Sequence, residues 1–127
     1  MDGPFTWAQL IGAIAECLPP DAEVYFAMPS GVHLRAYLAK HGRPVGKDFT
    51  LPNDARLLEG LVATLAEFPR EPVCVHLFVN RGSESQLQAW DVDVAIDTFY
   101  LSAAVGSQAV QRVRSAVGRG PTGTRDL

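Results

Sequence analysis

The chain of 127 residues is poor in the residues that staple, span or catalyse. Its two cysteines, Cys17 and Cys74, are too distant for a CxxC metal pair and too few for a disulfide framework. Both are expected as small core residues. No apolar run reaches the roughly 18 residues that a membrane span requires, and the N-terminal MDGPFTWAQL lacks the basic segment of a secretory signal. The expectation is a cytoplasmic protein with no membrane contact. His33, His41 and His76 offer no i, i+4 ligand pair beside a glutamate, which leaves metal binding unsupported. Ser30 lies near His33, but its flanks Met28 and Val32 lack the small residues of a G-x-S-x-G elbow. No catalytic constellation stands out, and no cofactor is expected. Lysine and arginine number 11 against 14 acids, for a net charge of −3, so the basic excess of a nucleic-acid footprint is missing.

What is present is the composition of an ordinary globular chain, 47% hydrophobic and 20% charged, at a length that buries one core without staples. Residues 1–118 are expected to form a single domain. Residues 119–127, rich in glycine and threonine, read as a flexible tail. Thr6 and Gln9 have capping-box spacing, with Phe5 placed to staple onto Leu10. A helix follows, its stripe running through Trp7, Leu10, Ile11, Ile14 and Leu18 until Pro19 and Pro20 stop it. Residues 22–28 alternate as a strand. A second helix runs from a Ser30 cap to Gly42, and a third from an Asn53 cap, with Leu57, Leu58, Leu61, Leu65 and Phe68 inward. Gly60 within the third predicts close helix packing. Residues 43–53, with two prolines, read as a long surface loop, its Arg43 and Lys47 a contact surface.

"PVCVHLFVN", residues 72–80, is nearly continuous apolar sequence and suits a central strand covered on both faces. Residues 86–102 supply one bent strand or two short ones, and a last helix carries Val110, Val113 and Val117 inward. The order is α-β-α-α-β-β-β-α. The fold class is α/β or α+β: one domain, a mixed four-stranded sheet and about four helices, with a parallel crossover between the first two strands.

"QLQAWDVDVAIDTFYLS", residues 86–102, sets three acids into this sheet. Counted by parity, Trp90, Val92, Val94 and Ile96 share the core side, while Asp91, Asp93 and Asp97 face outward, and the pattern inverts at a bend near residues 96–98. Like charges along one strand face repel, so they are tolerated where water or a basic partner meets them. The first reading is therefore a non-catalytic protein-binding module. Trp90, Asp91, Asp93, Asp97 and Tyr100 form its contact face, and a basic protein is its partner. Toxin-neutralising immunity proteins are a class of small, acidic proteins of this kind.

A second reading comes from a resemblance. "RGSESQLQAWDVDVAI" resembles the active-site motif of minimal nucleotidyltransferases, in which Gly-Ser at a strand end precedes an Asp-apolar-Asp strand. The resemblance implies that Gly82 and Ser83 hold phosphate and that Asp91 and Asp93 hold a divalent metal. Seven residues separate Ser83 from Asp91, fewer than in that family. A third reading places an anion at the Ser30-Gly31 helix start, where free N–H groups and the helix dipole converge, with Arg35 one turn on.

Overall fold

The computed structural model describes residues 6–94, 98–102, 108–117 and 124–126. In chain order these form α1 (Trp7–Cys17), β1 (Glu23–Ala27), α2 (Val32–His41), β2 (Arg43–Val45), β3 (Asp48–Pro52) and α3 (Ala55–Glu67). Then come β4 (Val75–Arg81), β5 (Glu84–Asp93), β6 (Thr98–Ser102), α4 (Gln108–Val117) and β7 (Thr124–Asp126). One sheet joins the strands in the order β2-β3-β1-β4-β5-β6-β7. Every neighbouring pair is antiparallel except β6 and β7. The class is α+β with four helices, as expected, and the sheet has more strands than the four read from sequence.

The helices begin where side chains satisfy their free N–H groups. Thr6 Oγ1 accepts from the Gln9 backbone at 3.1 Å and Gln9 Oε1 accepts from the Thr6 backbone at 2.8 Å, which completes the capping box. The staple residue Phe5 lies outside the described residues. Helix α3 is capped by Asp54, whose Oδ1 accepts from Arg56 and Leu57, rather than by the expected Asn53. Asn53 is buried instead, and its amide donates to the Leu18 and Pro19 carbonyls at 3.2 and 2.9 Å, tying the end of α1 to β3. Leu58, Leu61 and Leu65 of α3 meet Leu10, Ile11 and Ile14 of α1 in one core. Burying each such side chain contributes about 1.5–3 kcal/mol. Gly60 explains the α2–α3 contact, because a Cβ there would lie 2.5 Å from the Tyr37 hydroxyl, which donates to the Leu57 carbonyl.

Two expectations about the sheet are corrected. Residues 43–53 form a β-hairpin rather than a loop: β2 and β3 pair around Gly46, whose φ of +61° makes the tight reversal. β3 runs antiparallel to β1, and α3 carries the chain back so that β4 runs in the same direction as β3. β1 and β4 are therefore antiparallel neighbours instead of a parallel crossover pair. Within the segment read as a tail, Thr124–Asp126 runs parallel to β6, with Tyr100 opposite Arg125. Among the described residues no helix is long and apolar enough to cross a membrane.

Candidate functional site: the outward face of the sheet

Period-two alternation in β4 sends Val75, Leu77 and Val79 into the core and leaves His76, Phe78 and Asn80 half-buried on the other face. This corrects the expectation of a strand covered on both sides. Among the described residues the helices pack on the inward face alone. The apolar look of "VHLFV" came from an aromatic ring pointing outward, not from a second covering layer.

The parity expected for β5 is also corrected. Ala89 pairs with Leu77 and Val92 with Val75, so Trp90 and Asp91 together stand opposite His76 alone. That is a β-bulge, and Asp91 within it takes the left-handed conformation (φ +52°). Ala89 and Val92 are both fully buried. Trp90 therefore faces outward with Asp93 rather than inward with Val92. The His76 ring stabilises the bulge: its Nδ1 accepts the Asp91 backbone N–H at 2.9 Å, with Asp91 Oδ1 3.6 Å away. An accepting Nδ1 carries no proton.

The outward face that results is aromatic. Tyr25 on β1 is the direct partner of Phe78 on β4, their rings 6.2 Å apart. Phe78 and Trp90 pack edge to face with centres 4.8 Å apart, His76 lies 5.1 Å from the same indole, and Trp90 pairs with Tyr100 on β6. Four rings thus cross four neighbouring strands, a row about 14 Å long. The indole N–H donates to Gln88 Oε1 at 3.2 Å, which fixes the ring's orientation. Carboxylates border the row. Asp48 accepts from the Met28 backbone at 3.0 Å and from the Tyr25 hydroxyl at 2.7 Å, and these bonds hold its carboxyl below the usual range. The same carboxylate pushes the Tyr25 phenol up. Asp91, with a side chain 59% exposed, and Asp93 stand beside Trp90. Burial first, then Asp93 and Asp91, raise the Cys74 thiol.

Of the residues singled out in sequence, Trp90, Asp91, Asp93 and Tyr100 are thus brought together, and Asp97 lies outside the described residues. Tyr25, Phe78 and His76 were missed. Their signal was the alternation in β1 and β4, legible only once one sheet face is known to carry no helix among the described residues.

The geometry implied by the nucleotidyltransferase motif is not assembled. Gly82 and Ser83 form the turn before β5, whereas Asp91 and Asp93 close its far end. An extended strand separates Ser83 from Asp91 by about 25 Å. Phosphate and metal groups that far apart cannot act on one triphosphate. Among the described residues no three metal-ligating side chains converge.

The Ser30-Gly31 junction is occupied from within. The cap position of α2 is Gly31 rather than Ser30. The Ser30 hydroxyl accepts from the Cys74 N–H at 2.9 Å, and the Ser30 N–H donates to the Cys74 carbonyl at 2.9 Å. Glu71 puts its carboxylate where an external anion was expected, accepting from the His33 backbone at 2.9 Å and pairing with the His33 ring. The His33 contacts hold the Glu71 carboxyl below its usual range. Arg35 donates to the Pro29 carbonyl at 3.1 Å and lies over the Phe49 ring.

A scan against protein-family models finds no match, and neither the curated proteins nor the solved structures yield a similar one.

Proposed function

We propose that this chain is a non-catalytic protein-binding module that engages a basic protein through the outward face of its sheet. The observation that carries the reading is the half-exposed row of Tyr25, Phe78, Trp90 and Tyr100, with carboxylates at its border. Half-buried rings on an uncovered sheet face are the apolar anchors of a binding surface, because apolar area gains most from being covered. Aromatic sheet faces also bind single-stranded nucleic acid by stacking, but such faces are basic. Here Asp48, Asp91 and Asp93 would repel phosphates and attract a cationic protein surface. Immunity proteins, which neutralise a toxin by covering its active site, fit this chemistry at the level of class.

Affinity capture with the wild-type chain and with an Asp91→Lys, Asp93→Lys variant tests the reading. A basic protein retained by the first and lost by the second, while circular dichroism shows both folded, is the expected result. Should that protein be a toxic enzyme, its activity is expected to fall on addition of the chain. Magnesium-dependent nucleotide binding that disappears in Asp91→Asn and Asp93→Asn would overturn the proposal in favour of nucleotidyl transfer.

A further inference from the structure

The chemistry of the outward face narrows the kind of side chain it is built to take. The aromatic row does not end on neutral groups near Trp90. Asp93 shares the outward face with Trp90, and the bulge lifts Asp91 next to it. Asp91 and Asp93 are two residues apart, a spacing of roughly 7 Å along an extended strand. A ring face and two carboxylates at that separation match a planar cation that stacks with its surface and donates from its edge.

We infer that the face recognises arginine on its partner: the guanidinium stacks on Trp90 while its N–H groups pair with Asp91 and Asp93. The inference rests on the reading above and names the side chain which that reading leaves open. Lysine fits less well, because a compact, strongly hydrated ammonium neither stacks nor donates along two parallel directions. Indole is also the aromatic side chain that attracts a cation most strongly. The chain uses the same combination internally, where the Arg35 guanidinium lies 5.6 Å from the Phe49 ring centre and donates to a carbonyl. The hydrogen bond from the indole to Gln88 and the edge-to-face pairing with Phe78 hold Trp90 in place beforehand, so little ordering is needed on binding.

Two end-blocked peptides, one alternating arginine with serine and the other lysine with serine, separate the possibilities when titrated calorimetrically into the full chain at low salt. The arginine peptide is expected to bind about tenfold more tightly. Trp90→Leu should bring the two affinities to parity, Trp90→Phe should restore part of the preference, and Asp91→Asn with Asp93→Asn should weaken both peptides together. Thermal melts establish that each variant is folded. Equal binding of the two peptides, or a preference that survives Trp90→Leu, overturns the arginine inference and leaves the acidic binding face standing. If neither peptide binds, both fall.

Discussion

The β1–α2 junction and the outward sheet face are built from similar materials and use them in opposite ways. Each has a non-glycine residue in the left-handed region, Met28 at φ +51° and Asp91 at φ +52°, each held by a side-chain acceptor. Each has an acid beside a histidine. At the junction the chain satisfies its own groups: Ser30 with Cys74, Glu71 with His33, Arg35 with Pro29 and Phe49. On the sheet face the rings stay half-exposed, and Asp91 turns most of its side chain to solvent. The difference teaches that polar density alone does not mark a binding site. What marks one is the portion the fold leaves for something else to cover.

The comparison breaks most forcefully at Gly31. Its φ is +108°, and a Cβ there would meet Val73 Cγ2 at 2.9 Å and Glu71 Oε1 at 3.0 Å. Gly31→Ala therefore combines backbone strain with the displacement of the carboxylate that caps α2, an expected loss of about 2 kcal/mol. Urea denaturation measures it directly. Asp91→Asn, which suits the same left-handed backbone, should fall well short of that loss, and an equal one would mean that both regions are structural.

A smaller effect tests the link between the regions, the Tyr25–Asp48 hydrogen bond. Asp48 is held below 3.8, first by the Met28 N–H and then by Tyr25, so its contribution is complete above that value and drains away as pH falls through the folded one. Tyr25 is raised above 10.0, chiefly by Asp48, so its contribution is complete below that value and is lost as pH climbs through the folded one. Tyr25→Phe is expected to lose about 1 kcal/mol at neutral pH. In melts across the pH range, the alkaline decline should shrink in part, because burial also raises the Tyr37 phenol and the Cys74 thiol. The acid decline should shrink only in part, because the Met28 bond to Asp48 and the Glu71–His33 pair remain. A variant whose acid and alkaline limbs match the wild type would sever the proposed link.

How far these regions could be read from sequence depends on the range of the forces that shape them. The capping box, the stripe of α1, the closeness implied by Gly60 and the presence of β4 are local patterns, and the structure has them. The β2–β3 hairpin was locally encoded too, by Gly46 between Val45 and the alternating Phe49, Thr50 and Leu51. Pro44 hid it, although proline is tolerated on an edge strand, and β2 is one. The bulge at Asp91 was not legible, because one inserted residue leaves "AWDVDV" alternating on paper while turning Trp90 to the other face. The capping of α2 by Glu71 was out of reach as well. Its partners are 38 residues apart, and only tertiary packing brings them together.

The smallest effect separates the regions most cleanly, because it applies one change to both. A left-handed conformation costs an ordinary residue about 1–2 kcal/mol, and glycine avoids that cost while losing somewhat more chain entropy on folding. Met28 is 74% exposed and Asp91 nearly as open, so little packing is lost at either position. Met28→Gly and Asp91→Gly are each expected to stabilise the fold by about 0.5 kcal/mol, read as a higher denaturation midpoint. Their effects on binding should diverge. Met28→Gly should leave arginine-peptide affinity unchanged, since its strain serves a junction already closed by the chain's own groups. Asp91→Gly should weaken that affinity several-fold even as the fold gains stability, since the strain there holds a carboxylate beside Trp90. If both variants bind like the wild type, the bulge at Asp91 is a device of the sheet rather than of the site.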